Sequence, residues 1–383
     1  MRGLPIGASS GSPSPLLDVL GASWALGAPV AGVAWDGDLA GFGLGDGSLA
    51  MGRAQWQGGP QLEPVEGGTR LIPATQAQPP ATRLRVHDGA CLAIARHPGG
   101  GFLTGGDDGV LAGTDAEGTV TVLARQPGRW IDLVASGASG WTAAASGRQV
   151  ALGGLGQHML DLPATATALA FDAGGGRLAI AHYRGVTLWS PDAPVRVLVT
   201  PGCPLSLAWS QDSAYLVAGL QENALHGWRL SDAGDIEMGG YPGQPRSLSF
   251  SAGGRILASS GAPRVVCWRF DPPGEGSTPI ECGLPSSRLP VCRVACHPTR
   301  PLIAAGYHNG AVLLCQPGSD DVLFVKSSGG GSVTALAWSD DGERLALGTQ
   351  GGEAGLIPLP GLLFRFASSD PTSTPASGAV RHE

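Results

Sequence analysis

One unit of about 40 residues returns along nearly the whole chain, and a period of that length restricts the fold more than any other feature. Its clearest copy runs Ala168-Leu-Ala-Phe171-Asp-Ala-Gly-Gly-Gly-Arg-Leu178-Ala-Ile-Ala, then His182-Tyr-Arg-Gly185, then Val-Thr-Leu-Trp189. The shape returns at Ser206-Leu-Ala-Trp209 through Trp228, at Ser247-Leu-Ser-Phe250 through Trp268, from Val291 to Cys315, and from Val333 to Ile357. Three weaker copies precede these: Val30–Trp35 leading to Phe42, Cys91–Arg96 leading to Gly109, and Trp130–Ala135 leading to Trp141. With Trp35, Arg96, Ala135, Phe171, Trp209, Phe250, Cys296 and Trp338 as equivalents, the steps are 61, 39, 36, 38, 41, 46 and 42 residues. The long first step places an insertion rich in Gln, Pro and Gly at about 55–82.

Each unit reads as an apolar run, a Gly-rich or Asp-Gly turn and a second apolar run, the pattern of an antiparallel hairpin. A third strand ending in an aromatic and a fourth, variable strand complete a twisted sheet. One such sheet cannot cover both its faces, so the copies must stack on each other. The nearly continuous small apolar runs, such as Leu92-Ala-Ile-Ala95, suit strands covered on both sides. The expected fold is all-β: a single closed β-propeller of eight four-stranded blades, or seven if a weak copy is not a blade. Two segments compete to close the ring: Ser23-Trp24-Ala25-Leu26 near the start, and Leu362-Leu363-Phe364 near the end. The domain reading is a flexible segment 1–21, a propeller over 22–366, and a disordered tail 367–383 rich in Ser, Thr and Pro.

The 62 glycines and 31 prolines therefore mark turns rather than low complexity. A net charge of −7 offers no basic stripe, which argues against nucleic acid as a partner. No stretch reaches the roughly 18 apolar residues needed to span a bilayer. The first residues, Met1-Arg2-Gly3-Leu4-Pro5, lack the apolar core of a signal peptide, and seven irregularly spaced cysteines do not form a disulfide framework. A cytoplasmic monomer is expected. Lys326 is the only lysine, and together with abundant Ala and Gly this points to a GC-rich bacterial source.

The array resembles the WD-repeat propellers across residues 22–360. The resemblance rests on the turn Trp338-Ser339-Asp340-Asp341-Gly342 and on Trp189, Trp228 and Trp268 at the third-strand position. Ser190, Arg229 and Arg269 stand where the family has Asp after that Trp, and His87-Asp88-Gly89 is the nearest approach to its Gly-His opening. The resemblance thus implies that the family's buried His–Ser/Thr–Asp–Trp network is incomplete in most blades. It also implies that the turns between second and third strands line one rim of the ring.

Those turns carry the candidate binding residues Tyr183, Arg184, Arg264, Tyr307 and His308, since Tyr and Arg are favoured anchors for protein partners. Other candidates give way to plainer readings. Cys292, Cys296 and His297, with Cys267 and Cys315, offer zinc-type donors. Cys292 and Cys296, however, lie about 13 Å apart along one strand, too far to share an ion. His97-Pro98 and His297-Pro298 occupy equivalent first turns, where Pro sets the turn geometry. The runs Gly99–Gly101, Gly174–Gly176 and Gly329–Gly331 lead into no helix and lack the Lys-Ser/Thr of a phosphate loop. No catalytic constellation, cofactor site or metal site is expected.

Two functions follow. The first is a non-catalytic scaffold that holds other proteins through the rim. The second is a propeller enzyme of lactonase or quinoprotein type, with Asp108, Glu222, Asn223, His308 and Asn309 converging at the channel mouth around a metal or cofactor.

Overall fold

The computed structural model describes residues 14–364 except 66–67, 154–157, 233, 271–277, 285–287 and 362. The tail expected at 367–383 and most of the segment expected at 1–21 lie outside the described residues. Within that segment, Leu16–Leu20 forms a short helix whose Leu16, Leu17 and Leu20 are buried.

Eight four-stranded antiparallel sheets follow one another, so the eight-blade expectation holds and the seven-blade alternative falls. Their first strands are Val30–Asp36, Cys91–Arg96, Leu133–Ser136, Ala166–Phe171, Pro204–Trp209, Leu248–Phe250, Val291–Cys296 and Val333–Trp338, in blades 1 to 8. These strands pack side by side in a closed circuit, blade 8 against blade 1. The eight residues that set the period all fall at the end of a first strand or one place before it.

Burial peaks in the second strands and falls away toward the fourth, which explains the sequence pattern. Second strands such as Phe102–Gly106, Leu178–His182 and Ile303–Tyr307 are buried at every position. They are covered by a blade on each side, so no polar alternation survives in them. The fourth strand of blade 4, Ala193–Val199, has one buried residue.

Blades approach closely where the second strand carries glycine. A Cβ added at Gly348 would lie 2.4 Å from Val30 Cγ1, and one at Gly306 would lie 2.5 Å from Val333 Cγ1. Both glycines admit the first residue of the next blade. Tryptophans at the ends of first strands tie the same seam. The indole N–H groups of Trp35, Trp209 and Trp338 donate to the carbonyls of Ala337, Ala170 and Ala295 in the preceding blade, at 3.1, 2.9 and 3.0 Å.

The ring closes through the chain start. Ala22–Ala25 pairs antiparallel with Glu353–Pro358 as the outer strand of blade 8, with Ala22 opposite Leu356 and Ala25 opposite Glu353. The competing segment does not take that place: Leu363 and Phe364 pack partly buried on the cluster that the helix shares with blades 7 and 8. Leu362 lies outside the described residues. The insertion separates the third strand of blade 1, Ser48–Arg53, from its fourth, Thr82–Arg85. It holds a two-stranded hairpin, Gln61–Val65 with Gly68–Ile72. Its last residues then clasp the closing strand: Ser23 N–H donates to Gln78 Oε1 at 2.9 Å and Trp24 Nε1–H to Pro79 O at 2.9 Å.

Buried polar networks are sparse, as the missing Asp residues imply. Blade 2 keeps His87, whose Nδ1 meets Asp108 at 3.1 Å and whose Nε2 meets Thr104 at 3.0 Å, with no Trp. Blade 6 builds a different one, in which Trp268 Nε1–H donates to the Tyr241 hydroxyl at 2.7 Å and that hydroxyl meets Ser259 Oγ at 2.5 Å. Tyr241→Phe would leave the buried indole N–H unpaired. It is expected to cost about 1–3 kcal/mol, measured by denaturant unfolding.

Candidate binding face

Antiparallel order puts the turns between second and third strands, and the links from each fourth strand to the next blade, on one face of the ring. Most of these turns place a residue in the left-handed region within two residues of the entry to the third strand. Gly47, Gly109, Gly310 and Gly352 supply it in blades 1, 2, 7 and 8, with φ of 84°, 73°, 86° and 84°. Blade 5 uses Asn223 (φ 59°) and blade 4 uses Arg184 (φ 61°). Asn tolerates this conformation, whereas a long side chain such as Arg is strained there. Strain of this kind is commonly kept where a side chain serves a function.

The five residues expected at the rim separate in the structure. Tyr183 is 61% exposed at the tip of the blade 4 turn, and Arg184 beside it is exposed. His308 is exposed at the blade 7 turn, its Nδ1 3.7 Å from Cys292 Sγ. Arg264 is mostly covered and ion-paired, with Nη2 2.5 Å from Asp320 and Nη1 3.8 Å from Glu281. It ties blade 6 to blade 7 rather than standing free for a partner. Tyr307 must be corrected outright: it is 3% exposed, the last residue of a wholly buried second strand. Burial pushes its phenol up to about 12, and it packs among Cys282, Cys315 and Val291 instead of facing solvent.

Three of the five residues considered for a channel-mouth catalyst hold backbone N–H groups of this face. Asp108 accepts from the backbone N–H groups of Asp88 and Val110 and from His87, which together hold its carboxyl below the usual range against the opposing effect of burial. Glu222 accepts from Cys203 N–H, and Asn309 Oδ1 from Ala311 N–H. The cysteine–histidine cluster also disperses. Cys296 Sγ contacts Ser249 O, while His297 Nδ1 accepts from the N–H groups of Thr299 and Arg300 within its turn. Cys267, Cys282 and Cys315 form a buried row with Sγ separations of 4.0 and 3.3 Å. Among the described residues no group of three or more His, Cys, Asp or Glu is placed to hold a metal ion.

The most exposed aromatic of this face is one the sequence hid. Trp130, 65% exposed, lies in the link between blades 2 and 3, ahead of the first strand that begins at Leu133. In sequence it reads as the start of that strand's apolar run; only the polar Asp132 interrupting the run signals otherwise. Trp130 lines an open depression of about 880 Å³ together with Arg129, Asp132, Ser146, Arg148, Gln149, Asp161 and Thr165. Arg129 Nη1 donates to Gln149 Oε1 at 2.8 Å, Gln149 Nε2 to Asp161 at 3.2 Å, and Arg148 Nε to Leu162 O at 2.8 Å. Asp132 Oδ1 is buried without a hydrogen-bond partner. Burial pushes its carboxyl above the usual carboxylate range.

Two stability measurements check this reading. Arg184→Gly removes the left-handed strain and is expected to raise stability by up to about 1 kcal/mol in denaturant unfolding, despite glycine's entropy in the unfolded chain. Asp132 has its folded pKa raised, so its ionisation opposes folding above that pKa and the opposition fades as pH falls toward its unfolded value. Asp132→Asn should therefore raise the melting temperature at neutral pH, with the gain shrinking toward pH 4.

Comparison with known proteins bears on the frame more than on the site. Residues 294–359 match the family described as Anaphase-promoting complex subunit 4 WD40 domain. No curated protein matches the chain. A solved structure described as the crystal structure of RRP9 WD40 repeats superposes with a TM-score of 0.56 at 17% identity, covering 72% of this chain and 96% of that one. The fold of this chain is that of the WD40-repeat propellers.

Proposed function

We propose that the ring is a non-catalytic scaffold that binds another protein across the face carrying Trp130 and Tyr183. WD40 propellers generally mediate protein–protein interaction, and what recommends this face is its pair of exposed aromatics on neighbouring blades. Trp130 and Tyr183 are 65% and 61% exposed, while most large apolar side chains of the second strands are buried. Aromatic and arginine side chains dominate the binding energy of protein interfaces, and Arg129, Arg148 and Arg184 stand exposed beside these two. The enzyme alternative draws less support, because Asp108, Glu222 and Asn309 already accept hydrogen bonds from backbone N–H groups of their own turns or of the links that precede their blades.

Co-purification of the tagged chain from its native cells tests the proposal. The wild type should retain a specific protein that Trp130→Ala and Tyr183→Ala each lose at least tenfold. Both residues are exposed, so the variants should melt as the wild type does. Equal retention by wild type and both variants would rule this face out as the docking surface.

A further inference from the structure

The depression beside blade 3 has one unmet need, and that need specifies its occupant. Three donors of its lining bond within the chain, Arg129 Nη1 to Gln149, Gln149 Nε2 to Asp161 and Arg148 Nε to the Leu162 carbonyl, and none of the three bonds goes to Asp132. Of the polar side-chain atoms buried in its lining, Asp132 Oδ1 is the one without a partner among the described residues. What Asp132 Oδ1 lacks is therefore a donor placed to reach it.

Charge narrows the choice of donor. The lining holds two arginines and two aspartates, so its formal charge balances and discrimination falls to the unpaired atom. Desolvation leads the upward shift of Asp132, opposed only by its own backbone N–H, and no cation among the described residues counters it. A buried carboxylate without a partner gains more from an incoming cation than a solvated one does. Trp130, two residues earlier in the same link, exposes an indole face, the aromatic surface that attracts a cationic side chain most strongly. The chain's net charge of −7 favours the approach of a cationic segment over an acidic one.

We propose that this depression receives an arginine or lysine side chain of the bound protein, its charge on Asp132 and its stem against Trp130. The inference rests on the scaffold reading above and adds to it the chemistry of the partner.

The test titrates the full chain with four acetylated, amidated tripeptides, Gly-Arg-Gly, Gly-Lys-Gly, Gly-Gln-Gly and Gly-Glu-Gly. It follows the indole N–H resonance of Trp130, assigned by its loss in Trp130→Phe. The arginine and lysine peptides should shift this resonance saturably, and the glutamine and glutamate peptides should not. Asp132→Asn should weaken arginine-peptide binding at least fivefold while keeping the wild-type near-ultraviolet circular dichroism, and added salt should weaken wild-type binding. Equal shifts with the glutamate peptide, no shift with the arginine peptide, or unchanged affinity in Asp132→Asn would each overturn the proposal. The two readings fail separately. A partner lost by Trp130→Ala but kept by Asp132→Asn, with no arginine-peptide shift, sinks the cation site alone. Arginine-peptide binding at Trp130 in a chain that retains no protein sinks the scaffold reading alone.

Discussion

The structure depends on the seam between the inner strands of neighbouring blades. Apart from the short helix on blades 7 and 8, the sheets cover one another, so the apolar face of each is shielded only if its neighbour stands at the right distance. Two devices set that distance. Glycines such as Gly306 and Gly348 leave room for Val333 and Val30, and indoles such as those of Trp35 and Trp338 reach back to a carbonyl one blade behind. The Gly348–Val30 and Trp35–Ala337 contacts are also the junction between the last blade and the first. The seam that joins ordinary neighbours is therefore the one that completes the circle. Polar networks matter less; His87 and Tyr241 anchor two of them, built from different residues.

This is why so much of the architecture was legible in the sequence. Every blade meets the same two neighbours, so the same packing demand falls on each copy and leaves the same spacing. Trp35, Phe171, Trp209 and Trp338 mark it because an inner strand must end there against the preceding blade. The closing strand was legible for the same reason, since Ser23-Trp24-Ala25 stands before blade 1 as other fourth strands stand before theirs. Features outside the repeated demand were harder to read. The insertion occurs in blade 1 alone, and its grip on Ser23 and Trp24 depends on Gln78 and Pro79 within it.

The candidate site was legible only in part, and the errors share a cause. Burial at the end of a second strand is set by a neighbouring blade's packing, which local pattern does not report. Tyr307 and Tyr183 look alike in sequence, yet Tyr307 ends a buried strand and Tyr183 begins an exposed turn. Trp130 was hidden by the opposite effect, since an apolar residue before an apolar run reads as part of it. Arg184 was chosen for its side chain, whereas the structure adds a backbone reason: other blades place glycine at the equivalent turn position. The face is thus least regular around blades 3 and 4, where departures from the repeat coincide with exposed aromatic and charged groups.

Closure by the chain start fixes an order of events during synthesis. Ala22–Ala25 leaves the ribosome early, yet the strand it joins, Glu353–Pro358, lies more than 300 residues downstream. Until that stretch emerges, the early strand has no blade to complete, and the open faces of the first and last blades have no cover. Contacts so distant in sequence form late and leave sticky edges bare in the meantime. In the folded ring Gln78 and Pro79 hold Ser23 and Trp24 beside blade 1, at the seam that the eighth blade completes.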